Sequence, residues 1–282
     1  MQMELLGKII FGQDGAIFNG FLFRFDAKGV CSVYSLKDIS GDTAPIARFT
    51  IDKSDKIVPH CNSVAFSNTY YNEGDEFPLL YSNIYNNYAN ADDKMKGVTC
   101  VYRLQRNENE FSATLVQVIE IGFTEDSLWK SESCEDVRPY GNCAIDRQNS
   151  VYYAFTMRDE EKTTRYFSFK LPSAHSGILD EALGVPRAVL CRDDILDYFD
   201  CEYHKFVQGA SFKDGILYSL EGFANDEQKP PAIRLIDTAA KKQKGVFYFS
   251  DFGLKDEPEL IDFEGDDCYY SDGHGNFYKL TF

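Results

Sequence analysis

One short strand-like phrase occurs five times in this chain, and its recurrence constrains the fold more than any other feature. Each copy has four residues, and its last three positions are an apolar or aromatic residue, a polar residue and leucine. Alternation with a period of two is typical of a β-strand that is buried on one side. The copies are VYSL at 33–36, VYRL at 101–104, SFKL at 168–171, AIRL at 232–235 and FYKL at 277–280.

Two further strand-like segments precede each phrase. The nearer segment contains an aromatic residue, which is Phe23, Tyr81, Tyr153, Tyr218 or Tyr270. The more distant segment opens with a polar residue, which is Asp14, Asn62, Asn142, Gln208 or Glu259. Three strands therefore recur in a fixed order, and a repeat of this kind predicts a repetitive architecture.

A fourth β-rich segment follows the phrase in four of the units, at 44–51, 113–121, 187–191 and 245–250. Four-stranded antiparallel units in tandem are typical of a β-propeller. We therefore predict an all-β fold, a five-bladed β-propeller that occupies residues 1–282 as one domain, with blades starting near 14, 62, 142, 208 and 259. A different number of blades and a β-sandwich are the alternatives.

The fifth unit lacks a fourth strand of its own. Residues 4–11, ELLGKIIF, precede the first unit and have no other place in the pattern. We expect this N-terminal segment to pair with 277–280 and to complete the last blade. Such pairing closes the ring and removes the open sheet edges between the first and last blades.

Composition restricts the partners. The formal net charge is −16 and the isoelectric point is about 4.7, which argues against nucleic acid and anionic membranes because both require a basic surface. The N-terminal residues have no signal-peptide pattern, and no apolar run approaches the roughly 20 residues of a spanning helix. The eight cysteines show no metal-ligand spacing, so we expect reduced thiols, no metal, no cofactor and a cytoplasmic protein.

Long connections are expected on one face of the ring. In a propeller, the links between blades and those between second and third strands lie on the face where the inner strands start. The long segments fall in these links, at 83–97, 124–139, 173–203 and 221–231. A rigid scaffold with elaborated loops favours a binding site there. Within the third segment, RDDILDYF predicts one or two helical turns with Ile195, Leu196 and Phe199 directed inward.

The polar residues that open the inner strands should surround the mouth of the central channel. Residues just before these strands should extend further toward solvent, and they include Lys205. Convergent polar groups at a channel mouth predict a site for a small polar ligand, a glycan or a protein loop. The alternative is that these side chains bond neighbouring strands and trapped water. The predicted site comprises His60, Asn62, Arg138, Tyr140, Asn142, Gln208, Glu259 and Asp14.

Two carboxylates at this mouth suggest a second function. Asp14 and Glu259 belong to neighbouring blades once the ring closes, and two facing carboxyls can hydrolyse a glycosidic bond. Five-bladed glycosidases also place an acid on a middle blade, where this chain has Asn142, although Asp136 could substitute. The sequence contains no GxSxG, HExxH, P-loop or GxGxxG motif. A non-enzymatic recognition propeller is the first hypothesis; a glycoside-active enzyme and an intracellular interaction scaffold are the alternatives.

Two stretches resemble known propellers. Residues 206–223, FVQGASFKDGILYSLEGF, resemble the FxQG repeat of bacterial and plant-type glutaminyl cyclases, which are five-bladed propellers. The matching residues are Phe206, Gln208, Gly209, Leu217, Tyr218 and Gly222. Residues 59–83 resemble the second blade of uncharacterised bacterial propellers. Each resemblance covers one blade, and what it implies is the fold rather than an activity.

Overall fold

A computed structural model of the chain describes residues 1–57, 59–84, 97–130, 142–158, 160–202, 207–228 and 230–282. Its strands form five sheets. The innermost strand of each sheet contacts the innermost strands of the two neighbouring sheets, and these contacts form a closed cycle. The chain therefore folds as a five-bladed β-propeller, as the repeat predicts.

Three blades have four antiparallel strands each, and strands are numbered here in chain order. The first blade contains β2 (Gly15–Phe18), β3 (Phe21–Phe25), β4 (Val30–Ser35) and β6 (Ala47–Thr50). The third contains β11 (Cys143–Asp146), β12 (Val151–Arg158), β13 (Thr163–Lys170) and β16 (Ile195–Glu202). The fourth contains β17 (Val207–Lys213), β18 (Ile216–Glu221), β19 (Ala232–Asp237) and β20 (Lys242–Tyr248).

The second and fifth blades carry additional strands. The second contains β7 (Val64–Phe66), β8 (Leu80–Asn83), β9 (Val98–Asn107) and β10 (Glu110–Ile121), extended by β15 (Val185–Leu190) and β14 (Ile178–Asp180). The fifth contains β21 (Pro258–Glu264), β22 (Asp267–Asp272), β23 (Asn276–Thr281) and β1 (Gln2–Lys8), extended by β5 (Gly41–Asp42). Short 3-10 turns lie at Leu36–Asp38, Arg192–Asp194 and Phe249–Phe252.

Two of the inner hairpins show how local sequence sets the strand pairing. Asn19 and Gly20 join β2 to β3 with φ angles of 52° and 76°, and Asp214 and Gly215 join β17 to β18 with φ angles of 51° and 78°. Asn-Gly and Asp-Gly are the dipeptides that best tolerate two successive left-handed residues. These tight turns fix the register between the first and second strands of both blades.

The closing strand lies where the sequence predicts it. β1 pairs antiparallel with β23, from Gln2 opposite Thr281 to Lys8 opposite Asn276. Of the apolar side chains in this N-terminal segment, Ile9 is buried, whereas Leu5 is 59% exposed. An irregularity between Leu5 and Gly7 shifts the register of β1, so Leu5 and Ile9 do not share a face despite their even spacing.

The fourth strand of the third blade is not the predicted one. Residues 187–191 were expected in this position, but β15 pairs in parallel with β10 and belongs to the second blade. The fourth strand is β16, in the segment predicted to form helical turns. Its inward residues Phe199 and Cys201 are two apart, as in a strand, and Leu196 is 61% exposed. Of the predicted turns, only the 3-10 turn at Arg192–Asp194 exists.

Aromatic side chains fill the space between neighbouring blades. Between the first two blades, Phe23 meets Phe66, Phe77 and Phe111 at ring distances of 5.5–5.8 Å. Trp129 stacks on Phe167 at 5.2 Å and is 1% exposed. Aromatic pairs at these ring distances add stability to the interface beyond that gained from burying apolar surface. Among the described residues, no helix has the length and apolar character needed to span a membrane.

Candidate ligand site at the channel mouth

The polar residues that open the inner strands do converge. Asp14, Asn62, Asn142, Gln208 and Glu259 are all buried, with exposed fractions of 1–8%. A β-carbon built on Gly209 would lie 3.3 Å from the carbonyl oxygen of Asn62, 3.4 Å from that of Glu259 and 3.5 Å from Cγ of Asp14. Inner strands of four blades therefore approach one another closely here, and the channel is narrow.

Side-chain hydrogen bonds connect each blade with the next around this mouth. Oδ2 of Asp14 accepts from the backbone N–H of Val64 at 2.7 Å. Asn83 Nδ2 donates to Oδ1 of Asn62 and to Oδ1 of Asn142, and Asn142 Nδ2 donates to the carbonyl of Val207. Gln208 Nε2 donates to Oε1 of Glu257, and Gln13 Nε2 donates to Oε1 of Glu259. The polar ring thus holds the blades together, which is the alternative interpretation from the sequence.

Two carboxylate oxygens at this mouth are left without a partner. Oδ1 of Asp14 and Oε2 of Glu259 are buried and accept no hydrogen bond from any described residue. Burial raises the pKa of both carboxyls well above its ordinary value, although the charge of Arg24 opposes the shift. Buried acceptors without partners are costly. They therefore mark a place where water or a ligand donates hydrogen bonds.

Arg24 stands beside these carboxyls and was not anticipated from the sequence. It is 1% exposed, and its Nη2 donates to the carbonyls of Gly12 at 2.7 Å and Asp272 at 3.1 Å. Nε and Nη1 have no acceptor among the described residues. The feature of the sequence that could have indicated its role is an arginine within FLFRF at 21–25, an otherwise apolar strand.

The residues before the second inner strand have an unusual backbone. Cys61 has a φ of 56°, and its carbonyl accepts from the N–H of Asp14 at 3.0 Å. A left-handed conformation is uncommon for a residue other than glycine, and it is often found at functional sites. His60 is half-buried, and burial lowers its pKa. Arg138, Tyr140, Lys205 and Asp136 lie outside the described residues.

The two carboxyls at the mouth are not exposed to an open cleft among the described residues. A glycosidase needs two carboxyls that flank a cleft wide enough for a sugar ring. Here Asp14 is bonded to the backbone of Val64, and both carboxyls are buried in a narrow channel. The mouth residues line none of the three cavities whose walls the structure describes.

An ion pair closes the opposite end of the channel. Nη2 of Arg147, which follows β11, lies 2.9 Å from Oδ2 of Asp262 in β21. Asp262 also accepts from the N–H of Ile17 and the hydroxyl of Ser211, and Nε of Arg147 donates to the carbonyl of Phe66. This pair was not predicted from the sequence, although an aspartate within the otherwise apolar run LIDF at 260–263 was a visible signal.

The described part of the chain holds no group of three His, Cys, Asp or Glu side chains arranged to bind a metal. Its cysteines are free thiols, six of them buried and Cys191 exposed. Burial raises the pKa of Cys61, at the channel mouth, to about 12. A thiol with such a pKa is unreactive near neutral pH, because the thiolate is the reactive form.

Comparison with known proteins supports the fold. No family model and no curated protein sequence matches the chain. A crystal structure of glutaminyl cyclase from Myxococcus xanthus matches with a TM-score of 0.52 and 10% identity, covering 99% of this chain and 92% of that chain. The Dos1 propeller, with a TM-score of 0.37 and 7% identity, covers 95% of this chain and 57% of that chain. At such low identity the likeness concerns the fold alone: this chain is a five-bladed β-propeller similar in fold to that cyclase.

Proposed function

We propose that this propeller is a non-enzymatic recognition protein that binds a small polar ligand at the channel mouth. A propeller scaffold supports a binding or scaffold role in general. The observation that carries the narrower proposal is the pair of buried, unpartnered oxygens on Asp14 and Glu259. A ligand that donates hydrogen bonds there, such as an amine, an amide or a polyol, relieves the cost of leaving both acceptors unpaired.

The remaining mouth residues provide selectivity in this proposal. Asn62, Asn142 and Gln208 present amides from three blades next to the carboxyls. Amides donate and accept, so they discriminate between ligands by the arrangement of polar groups. We propose the cytoplasm as the compartment, and the free thiols of the described cysteines support it.

The test is a binding screen by calorimetry with small amines, amides, sugars and short peptides. We expect saturable binding by a hydrogen-bond donor, and loss of that binding in the Asn142→Ala/Gln208→Ala double variant with a smaller effect on stability. Gln148→Ala, at an exposed position, is the matched control. If no member of these four ligand classes binds, the proposal is contradicted. Turnover of a chromogenic glycoside that disappears in Glu259→Gln supports the glycosidase instead.

A further inference from the structure

A second cavity opens on the same face as the channel mouth, between the fifth and first blades. Its volume is about 770 Å³. The closing strand contributes Lys8, and the segment after it contributes Ile10 and Phe11. The first blade contributes Arg24 and Arg48. Its other lining residues are Ile9, Asp26, Val30, Ser32, Gly273 and His274.

Register explains why two arginines reach the same cavity. Arg24 on β3 lies opposite Ser32 on β4, which in turn lies opposite Arg48 on β6. Directly opposed residues of neighbouring strands point to the same face of a sheet. The three side chains therefore form one polar row across the first blade, and this row faces the closing strand.

The two arginines of this cavity form no ion pair at direct contact distance, unlike the other described arginines. The others form ion pairs with aspartate or glutamate; they are Arg103, Arg106, Arg147, Arg158, Arg165, Arg187, Arg192 and Arg234. Arg24 and Arg48 have no carboxylate within ion-pair distance among the described residues, and neither has Lys8.

The acidic groups near the cavity leave it positive. Asp26 is the carboxylate among the lining residues, and its Oδ1 accepts from the backbone N–H groups of Lys28 and Val30. His274 contacts Asp256 at 3.3 Å, which pairs these two groups with each other. Arg24 also interacts electrostatically with Glu259, Asp14 and Asp272 from the side of the channel mouth. Among the residues that line the cavity, the positive charges of Lys8, Arg24 and Arg48 outnumber the negative charge of Asp26.

We propose that this cavity binds a small oxyanion, a carboxylate or a phosphate. Arg48 and Lys8 supply exposed positive charge at the opening, and Arg24, which is 1% exposed, adds a buried positive charge to the cavity wall. Guanidinium groups form strong charge-assisted hydrogen bonds with both anions. Phe11, which is 73% exposed, adds an apolar surface at the opening for an organic substituent.

The bound anion bridges the two ends of the ring. Lys8 belongs to the closing strand of the fifth blade, whereas Arg24 and Arg48 belong to the first blade. A ligand that contacts all three links these blades, and a ligand that binds only the folded ring raises its melting temperature. The proposal does not depend on a ligand at the channel mouth, although Arg24 interacts electrostatically with Asp14 and Glu259 there.

The test uses inorganic phosphate and benzoate as separate probes, in buffers of equal ionic strength made up with chloride. Binding is measured by calorimetry, and the melting temperature by the fluorescence of Trp129, the one tryptophan of the chain. We expect one-to-one binding of at least one probe and a higher melting temperature. Binding of phosphate but not benzoate would indicate a phosphorylated ligand, and binding of benzoate but not phosphate would indicate an organic carboxylate.

Variants locate the site. Arg48→Gln and Lys8→Gln change exposed residues, and each should weaken binding about tenfold, as expected for the loss of a charge-assisted hydrogen bond. Lys244→Gln, at an exposed position of β20, removes the same charge elsewhere and should change the affinity less than about twofold. The proposal is overturned if neither probe binds, or if Arg48→Gln/Lys8→Gln binds as tightly as the unmodified chain. The Asn142→Ala/Gln208→Ala variant should retain anion binding, which separates this site from the channel mouth.

Discussion

Arg147 and Asp262 form an ion pair across the end of the channel opposite the mouth, with Nη2 of the arginine 2.9 Å from Oδ2 of the aspartate. Together the two side chains contact all five blades, because they also bond Ile17, Phe66 and Ser211. The pair therefore links all five sheets at this end of the channel.

Removing Arg147 should destabilise the ring. Arg147→Met leaves Asp262, which is 3% exposed, without its cationic partner. Breaking a buried pair in this way costs roughly 3–5 kcal/mol, and we expect the lower end because the Arg147 side chain is partly exposed. Urea unfolding followed by Trp129 fluorescence measures the loss. Arg192→Met, which breaks the exposed pair with Asp126, should cost less than about 1 kcal/mol; equal losses would refute the central role.

Deleting residues 1–8 should prevent the ring from closing. The deletion removes β1 and leaves β23 as an unpaired edge, which promotes aggregation. We expect aggregated or protease-sensitive protein, measured by size-exclusion chromatography and limited trypsin digestion. Leu5→Ser changes an exposed residue of the same strand, so its unfolding free energy should differ by less than about 0.5 kcal/mol. A truncated chain that melts like the full one would contradict the model of closure.

The buried carboxyl of Glu259 should make stability depend on pH. Burial raises its pKa in the folded state, so its contribution to stability is complete below the unfolded pKa of about 4.3 and decreases as the pH rises. Glu259→Gln cannot ionise, and its stability relative to the unmodified chain should increase between about pH 4.5 and 7.5. Urea midpoints across this range test the sign. Glu110→Gln, at the exposed start of β10, is the control.

Gly209→Ala should narrow the channel mouth without unfolding the ring. The added β-carbon would lie 3.3–3.5 Å from atoms of Asn62, Glu259 and Asp14. Small overpacking of this kind costs typically about 1–3 kcal/mol, and we expect the lower end. Calorimetry should show weaker binding of the mouth ligand and unchanged binding of phosphate or benzoate at Arg48. Weakening of both would show that the two sites are not independent.

The repeat predicted the fold because the strand pattern is local. Phe23, Tyr81 and Tyr270 are fully buried on second strands, as their period-two neighbours indicate. The place of β15 could not be predicted, because strand propensity does not specify which sheet edge a segment joins. The convergence of the polar residues at the channel mouth could be predicted because each of them opens the inner strand of its blade. They are Asp14, Asn62, Asn142, Gln208 and Glu259. Arg24 and Arg147 were missed because their roles arise from contacts between blades that are distant in sequence.

The pairing of β1 with β23 also has a consequence for the order of folding. β1 pairs with a strand that lies more than two hundred residues later in the chain, so it is synthesised well before its partner. Pairing between such distant segments is slow, because the chain must close a large loop before the contact is gained. Closing the ring should therefore be the final step of folding, and until then β1 is an unpaired strand that a chaperone can bind.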